Sequence, residues 1–386
     1  MKNTNRRHTT ILMNVAIVAT TLFLIMQLPA PYRVVISAVD GTTATADEKK
    51  SASLSPSPRS AEVRAKGWDK TYSPSEFLNT FSNRKDEDPS EIMRDYLWHE
   101  LISQEPGVRP KIAVVLSGGG ARGFSHIGVL RVLERNRLPV DIVVGTSIGA
   151  VIGALYASGV SLDKLEYLTS DLGWDKISDF SGASSVVELM MGERLLSSEK
   201  LEKYLDARLG AKNFYELNKK FACVAVDIVT GEKIVFTEGN VARAVRASAT
   251  IPGVFEPVEY RHRLLVDGGL VENIPVDLAR SMGADIVIAL TARPDYTNNS
   301  VKGILRTLTQ AIYIQGKILE DNSLKRADFV IAPVVKDVSA MDLGKASVCI
   351  SAGVVEAESR MKDLKEFIIK KTLSERENAS RIFLGR

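Results

Sequence analysis

The chain has 386 residues, 45% of them hydrophobic, which is enough material for a sizeable core and one main domain. Its 50 basic and 47 acidic residues are interspersed and nearly cancel to a formal net charge of +3, which excludes the electrostatic footprint of a nucleic-acid-binding protein. Cys223 and Cys349 are too few for a disulfide scaffold and read as buried core thiols, and no metal-ligand spacing is present.

At the N-terminus, Lys2, Arg6 and Arg7 precede an apolar run over residues 11–28 that is stopped by Pro29 and Pro31. A basic flank before such a run marks an export signal or a single membrane anchor, separate from the fold. The run is longer than a usual signal core and shorter than a comfortable span. Ala44-Thr45-Ala46 offers a cleavage-type site but lies far downstream, so residues 1–32 are expected to remain as an uncleaved anchor. The alternative is a secreted or periplasmic protein after cleavage. The basic flank puts everything beyond the run on the non-cytoplasmic side, and no cysteine follows closely enough for a bacterial lipid anchor.

Residues 33–108 read as a linker. Within it, residues 51–64 are rich in Ser, Ala, Pro and charge, as a flexible tether is. Asp88-Pro89-Ser90-Glu91 then opens an amphipathic helix with Ile92, Met93, Tyr96, Leu97, Leu101 and Ile102 on one face. That face is expected to dock on the main domain; service at a membrane surface or as a lid is the alternative.

The main domain is expected over residues 109–372, with residues 373–386 as a tail. It opens on Lys111-Ile112-Ala113-Val114-Val115-Leu116-Ser117, a buried-strand pattern that runs into Gly118-Gly119-Gly120-Ala121-Arg122-Gly123. His126, Ile127, Val129, Leu130, Val132 and Leu133 follow at helical spacing. Successive glycines at the positive end of a helix present backbone N–H groups to an anion. The letters satisfy G-x-G-x-x-G, but the next strand lacks the terminal acid a dinucleotide ribose needs, and Phe124-Ser125 stands where a P-loop carries Lys and Ser/Thr. An oxyanion hole is therefore the better reading. Arg122 could steer a phosphate or carboxylate, or serve as a structural ion-pair partner.

The next strand, Asp141-Ile142-Val143-Val144, leads into Gly145-Thr146-Ser147-Ile148-Gly149 and then a helical run over residues 150–157. A nucleophile on a sharp strand-to-helix turn has a strained backbone and needs small neighbours, which Gly145 and Gly149 supply. An ordinary glycine-rich turn is the alternative. Beyond it, helices are expected over residues 161–170 and 240–249, with a Leu-rich segment at 197–209. Strands are expected at 221–227, 233–237, 258–260, 264–266, 286–290 and 329–331. This alternation predicts a mostly parallel sheet with helices on both faces and an active site at the strand carboxyl ends. Asp227 ends one strand and reads as a cap for the turn marked by Thr230-Gly231, competition for the base role being the alternative. Leu264-Leu265-Val266 closes on Asp267-Gly268-Gly269; taken alone this reads first as a type I′ hairpin turn, and a carboxylate placed to be a buried general base is the alternative.

In this order, the glycine loop 118–123, the turn 145–149, the stretch Ala247-Ser248-Ala249-Thr250-Ile251-Pro252-Gly253-Val254-Phe255 and the Asp267-Gly268 pair resemble the patatin-like phospholipase family. The resemblance spans about residues 112–276, the motifs lying within 113–277, with weaker likeness to about 353; it is to bacterial members and to neuropathy-target-esterase-type catalytic domains. It implies a three-layer α/β/α fold with a mostly parallel central sheet. It further implies a Ser-Asp dyad, with Ser147 as nucleophile and Asp267 as base. The N–H groups of Gly118, Gly119, Gly120 and Ile148 would hold the oxyanion, with Arg122, Gly123, Gly145, Gly149 and Gly268 supporting the motifs. The implied substrate is a phospholipid or lysophospholipid met at a membrane surface, without a cofactor. Most serine hydrolases add an imidazole. Here the histidines are His8, His99, His126 and His262, and none follows Asp267. His262, flanked by Arg261 and Arg263, is expected on an exposed hairpin, and His126 is expected to pack or hydrogen-bond. A His-dependent esterase or thioesterase, or a catalytically silent binding protein, are the rival readings.

Overall fold

Strand β1 (Ile112–Leu116) is buried along its whole length, as an unbroken apolar run must be when both faces of a sheet are covered. The computed structural model of the chain describes residues 88–105, 107–170, 172–180, 195–292 and 304–383. The apolar run 11–28 and the tether 51–64 lie outside these residues. Among the described residues, no helix is long and apolar enough to cross a membrane.

The sheet has eight strands: β1, β2 (Ile142–Thr146), β3 (Lys220–Asp227), β4 (Lys233–Phe236), β5 (Val258–Tyr260), β6 (Arg263–Asp267), β7 (Ile286–Leu290) and β8 (Phe329–Ile331). Its order is β5-β6-β3-β2-β1-β7-β8, with β4 also paired to β3. The block β3-β2-β1-β7-β8 is parallel throughout. The remaining pairings, β3 with β4, β3 with β6 and β5 with β6, are antiparallel, so the sheet is mixed rather than mostly parallel. For β5 and β6 the reason is connection length: they are joined by Arg261 and His262 alone, both at positive φ, and two residues cannot make the crossover that parallel pairing requires.

Alternation along β1 sends Ile112, Val114 and Leu116 into a large cluster on one face, and Ala113 and Val115 into a smaller one on the other. The larger layer holds α2 (Ser125–Arg135), α3 (Ile148–Ala157), α4 (Leu162–Ser170), α6 (Glu199–Leu209), α7 (Val241–Ser248) and α10 (Ala346–Phe383), with the single turn α5 (Trp174–Ile177) beside α6. The smaller face is covered by α8 (Val276–Ser281) and the end of α9 (Ile304–Leu324). The amphipathic helix α1 (Pro89–Ile102) is capped by Asp88, whose side chain accepts the Ser90 N–H. It docks through Trp98 and Leu101 in the large cluster, and Trp98 Nε1 donates to the Asn136 carbonyl at 3.0 Å. Both cysteines are buried and unpaired.

Candidate active site

Two strands end against the same edge of β3. Along one edge β3 pairs with β4 from Cys223 to Val226. Along the other it pairs with β2 as far as Thr146↔Val224, and from the next residue onward with β6 in the register Ala225↔Asp267. The carboxyl ends of β2 and β6 therefore meet head to head, which brings Ser147, the residue after Thr146, beside Asp267.

Ser147 has φ 58 and ψ −128, a left-handed conformation that costs a non-glycine residue roughly 1–3 kcal/mol. Surrounding contacts hold it there. Its N–H donates to Ser248 Oγ at 3.1 Å, and its carbonyl accepts from Ala150 N–H at 2.9 Å as α3 begins. A side chain at Gly149 would overlap the Leu116 and Ser117 carbonyls, and one at Gly145 would overlap the Gly149 backbone. The turn thus packs on the end of β1 only because both positions are glycine.

Asp267 is 8% exposed and accepts hydrogen bonds from the Ser147 hydroxyl and, at 2.8 Å, from the Gly269 N–H. Burial pushes its carboxyl up to about 6, the two hydrogen bonds opposing that rise. Gly268 presses against the Val224 carbonyl and has no room for a Cβ. Asp267-Gly268 opens a short 3-10 turn, not a hairpin; the hairpin turn is at Arg261-His262.

The glycine loop leaves β1 toward this pair. A Cβ on Gly118 would stand 3.0 Å from Ser147 Cβ, and Gly119 and Gly120 have φ 152 and 59. The Gly118 N–H, expected among the oxyanion donors, is instead taken by Asn273 Oδ1 at 2.9 Å. The N–H groups of Gly119, Gly120 and Ile148 donate to no group among the described residues. Gly123 packs against the Ile148 side chain with no room for a Cβ, which locks the loop to the start of α3. Arg122 is buried and donates to the Val338 carbonyl at 3.2 Å, a structural engagement.

The histidines are placed elsewhere. His126 is fully buried, and Nε2 lies 2.9 Å from the Ser117 carbonyl, which as an acceptor requires the Nε2–H tautomer. Burial holds its pKa down at about 4, so it is neutral. His262 is exposed at the hairpin tip, His99 lies on α1, and His8 is outside the described residues. Asp227 caps its turn as expected: its Oδ1 accepts Val229 N–H at 3.0 Å, and this bond, with Arg263 nearby, keeps its carboxyl below the ordinary value.

Ser147, Ile148 and Gly120 line a cavity of about 90 Å³ whose other walls are mainly apolar, among them Leu155, Leu168, Trp174, Leu201 and Phe255. Among the described residues no cluster of three or more His, Cys, Asp or Glu is placed to hold a metal. Sequence reasoning missed Ser248 and Asn273 as partners of the site. The signal for Asn273 was an amide shortly after Asp267-Gly268, between Glu272 and Ile274, and Ser248 had none beyond lying in the 247–255 stretch.

Residues 114–280 match the family model described as patatin-like phospholipase. The chain is 39% identical over 196 residues to patatin-like phospholipase domain-containing protein 6 of Mus musculus, covering 50% of this chain and 14% of that protein. It is 32% identical over 182 residues to an uncharacterized NTE family protein of Mycobacterium tuberculosis, covering 47% of this chain and 49% of the relative. The chain thus spans about half or less of the length of these curated relatives. Among solved structures, human GIVD cytosolic phospholipase A2 aligns with a TM-score of 0.44 at 11% identity, over 78% of this chain and 65% of that one.

Proposed function

We propose that the chain, whose residues 114–280 match the patatin-like phospholipase family model, is a serine lipid acyl hydrolase acting on phospholipid or lysophospholipid esters. The observation that carries the reading is the hydrogen bond between the Ser147 hydroxyl and the buried Asp267 carboxylate, with Ser147 lining an apolar cavity. In the forward step Ser147 Oγ attacks the ester carbonyl while its proton passes to Asp267. The oxyanion is held by the N–H groups of Gly119, Gly120 and Ile148, which are unengaged among the described residues. Asp267 then gives the proton to the departing alcohol, which leaves an acyl-serine. In the second half, water attacks that ester and Asp267 takes its proton; as the acyl–Oγ bond breaks, Asp267 returns the proton to Ser147 Oγ and the fatty acid leaves.

The cavity suits the acyl chain, since its walls are mainly apolar and Ser147 is among them. A histidine base is disfavoured by position: His126 is committed to Ser117, and His262 is separated from Asp267 by the length of β6. A fluorophosphonate probe tests the proposal. Labelling of the wild type and its loss in Ser147→Ala is expected, followed by release of fatty acid from phospholipid or lysophospholipid in lipid-class profiling. An unlabelled, inactive wild type would sink the hydrolase reading in favour of a silent binding protein.

A further inference from the structure

Both halves of the dyad are held by one short segment from a different part of the chain. Ser248, the last residue of α7, is fully buried, and its hydroxyl is used twice. Its Oγ accepts the Ser147 N–H at 3.1 Å and donates to the Val224 carbonyl at 2.7 Å. Two residues on, the Thr250 carbonyl accepts the Asp267 N–H at 2.8 Å. The segment is itself braced: Thr250 Oγ1 donates to the Arg246 carbonyl at 2.8 Å, and Arg246 bonds Ser198 Oγ at 3.0 Å and Glu202 at 2.9 Å on α6. Between the two clamped points lies Ala249, which with Ile251 forms part of the cavity wall.

We propose that Ser248 is a positioning residue for the reaction: its hydroxyl fixes the backbone N–H of Ser147 to β3 and so holds the nucleophile in its left-handed conformation within reach of Asp267. The proposal rests on the hydrolase reading above. Three features argue for it. Ser147 occupies a conformation its own residue type disfavours, so something outside the turn must hold it. Its N–H is buried and needs an acceptor, which in this position is a side chain rather than a ladder carbonyl. The same hydroxyl lies at the junction where the carboxyl ends of β2 and β6 meet, the place along that edge of β3 where strand pairing changes partner. Without the hydroxyl, the Ser147 N–H and the Val224 carbonyl both lose a partner and the turn is free to relax. A displacement of about 1 Å at a reacting atom is enough to lower turnover on the order of a hundredfold.

The test is turnover per active site in Ser248→Ala and Ser248→Cys, with sites counted by fluorophosphonate titration and folding followed by circular dichroism. We expect turnover per titrated site to fall about tenfold to a hundredfold while KM stays within about twofold, since the acyl cavity is untouched. If Ser248 only stabilised the fold, fewer sites would titrate but each would turn over at the wild-type rate. That outcome in either folded variant overturns the proposal, and so does failure of both variants to fold, which would assign Ser248 to stability alone. Should the wild type neither titrate nor hydrolyse esters, the fault lies in the hydrolase reading, because the wild-type control precedes any variant.

Discussion

At the scale of single residues, the charge state of Asp267 links activity to stability. Burial raises its carboxyl to about 6 in the folded protein. A base must be ionised to take the serine proton, so kcat/KM should rise with pH through about 6 and level off above it. An acid limb near the ordinary aspartate value, about 3.9, would show that Asp267 is not the base. The sign for stability is opposite. The folded state holds the proton more tightly than the unfolded chain, so this group's favourable contribution is complete below the unfolded value of 3.8 and is lost as pH rises through about 6. At pH 8 the buried charge weighs against folding by about 3 kcal/mol. Asp267→Asn should therefore abolish turnover yet melt higher than wild type at pH 8, the gap shrinking toward pH 4; a variant that melts lower at both pH values contradicts the burial argument. Combining it with Ser147→Ala should add little further loss, because the two residues act as one unit. The types and order of these residues were legible in the sequence, since a serine between glycines and an aspartate before glycines each end an apolar strand. Their partners were not. That Asn273 occupies the Gly118 N–H, or that Ser248 holds Ser147, is a hydrogen bond between distant positions, and such bonds leave no local pattern.

Helix α2 carries the glycine loop at its N-terminus and is gripped along its length by α10. The two helices cross at a pair of glycines: a Cβ on Gly128 would overlap the Ile350 carbonyl, and one on Gly353 would overlap the Ser125 carbonyl. The overlap is with backbone on both sides, so neither neighbour can turn aside. Gly128→Ala and Gly353→Ala should each destabilise by about 1–3 kcal/mol through overpacking, read as a lower denaturant midpoint. Gly353→Ala should also lower activity, because it pushes on Ser125 at the foot of the oxyanion loop. A neutral effect of both changes would mean that the helices can separate freely. Element positions themselves were well marked in the sequence: β5, β7 and β8 fall at the expected residues, and α7 differs from its expected span by one residue at each end. Strand direction was not. Apolar runs and their spacing are the same whether a strand pairs parallel or antiparallel, so beyond the hairpin expected at His262 the antiparallel pairings of β4 and β6 with β3 were hidden.

For the whole molecule, we propose that the apolar run at residues 11–28 anchors the chain with the hydrolase domain on the non-cytoplasmic side, a reading that rests on the basic flank and the length of the run. Protease added outside the cytoplasmic membrane should cut within residues 51–64 and release a fragment that still hydrolyses lipid. Protection of that stretch until the membrane is ruptured would reverse the orientation. The fragment must retain α1, because Trp98 is 5% exposed in the core; Trp98→Ala should destabilise by about 3–5 kcal/mol, seen as a lower melting temperature. The head-to-head meeting of β2 and β6 on one edge of β3 has a further consequence, for the time course of folding. The parallel pair of β1 and β2 joins segments near in the chain, whereas Ser147 and Asp267 come together only after β6 has docked from far along it. Closing such a loop is slow relative to local structure. During refolding, helical signal and tryptophan burial should therefore recover first and esterase activity last, so that catalysis serves as a clock for completion of the sheet.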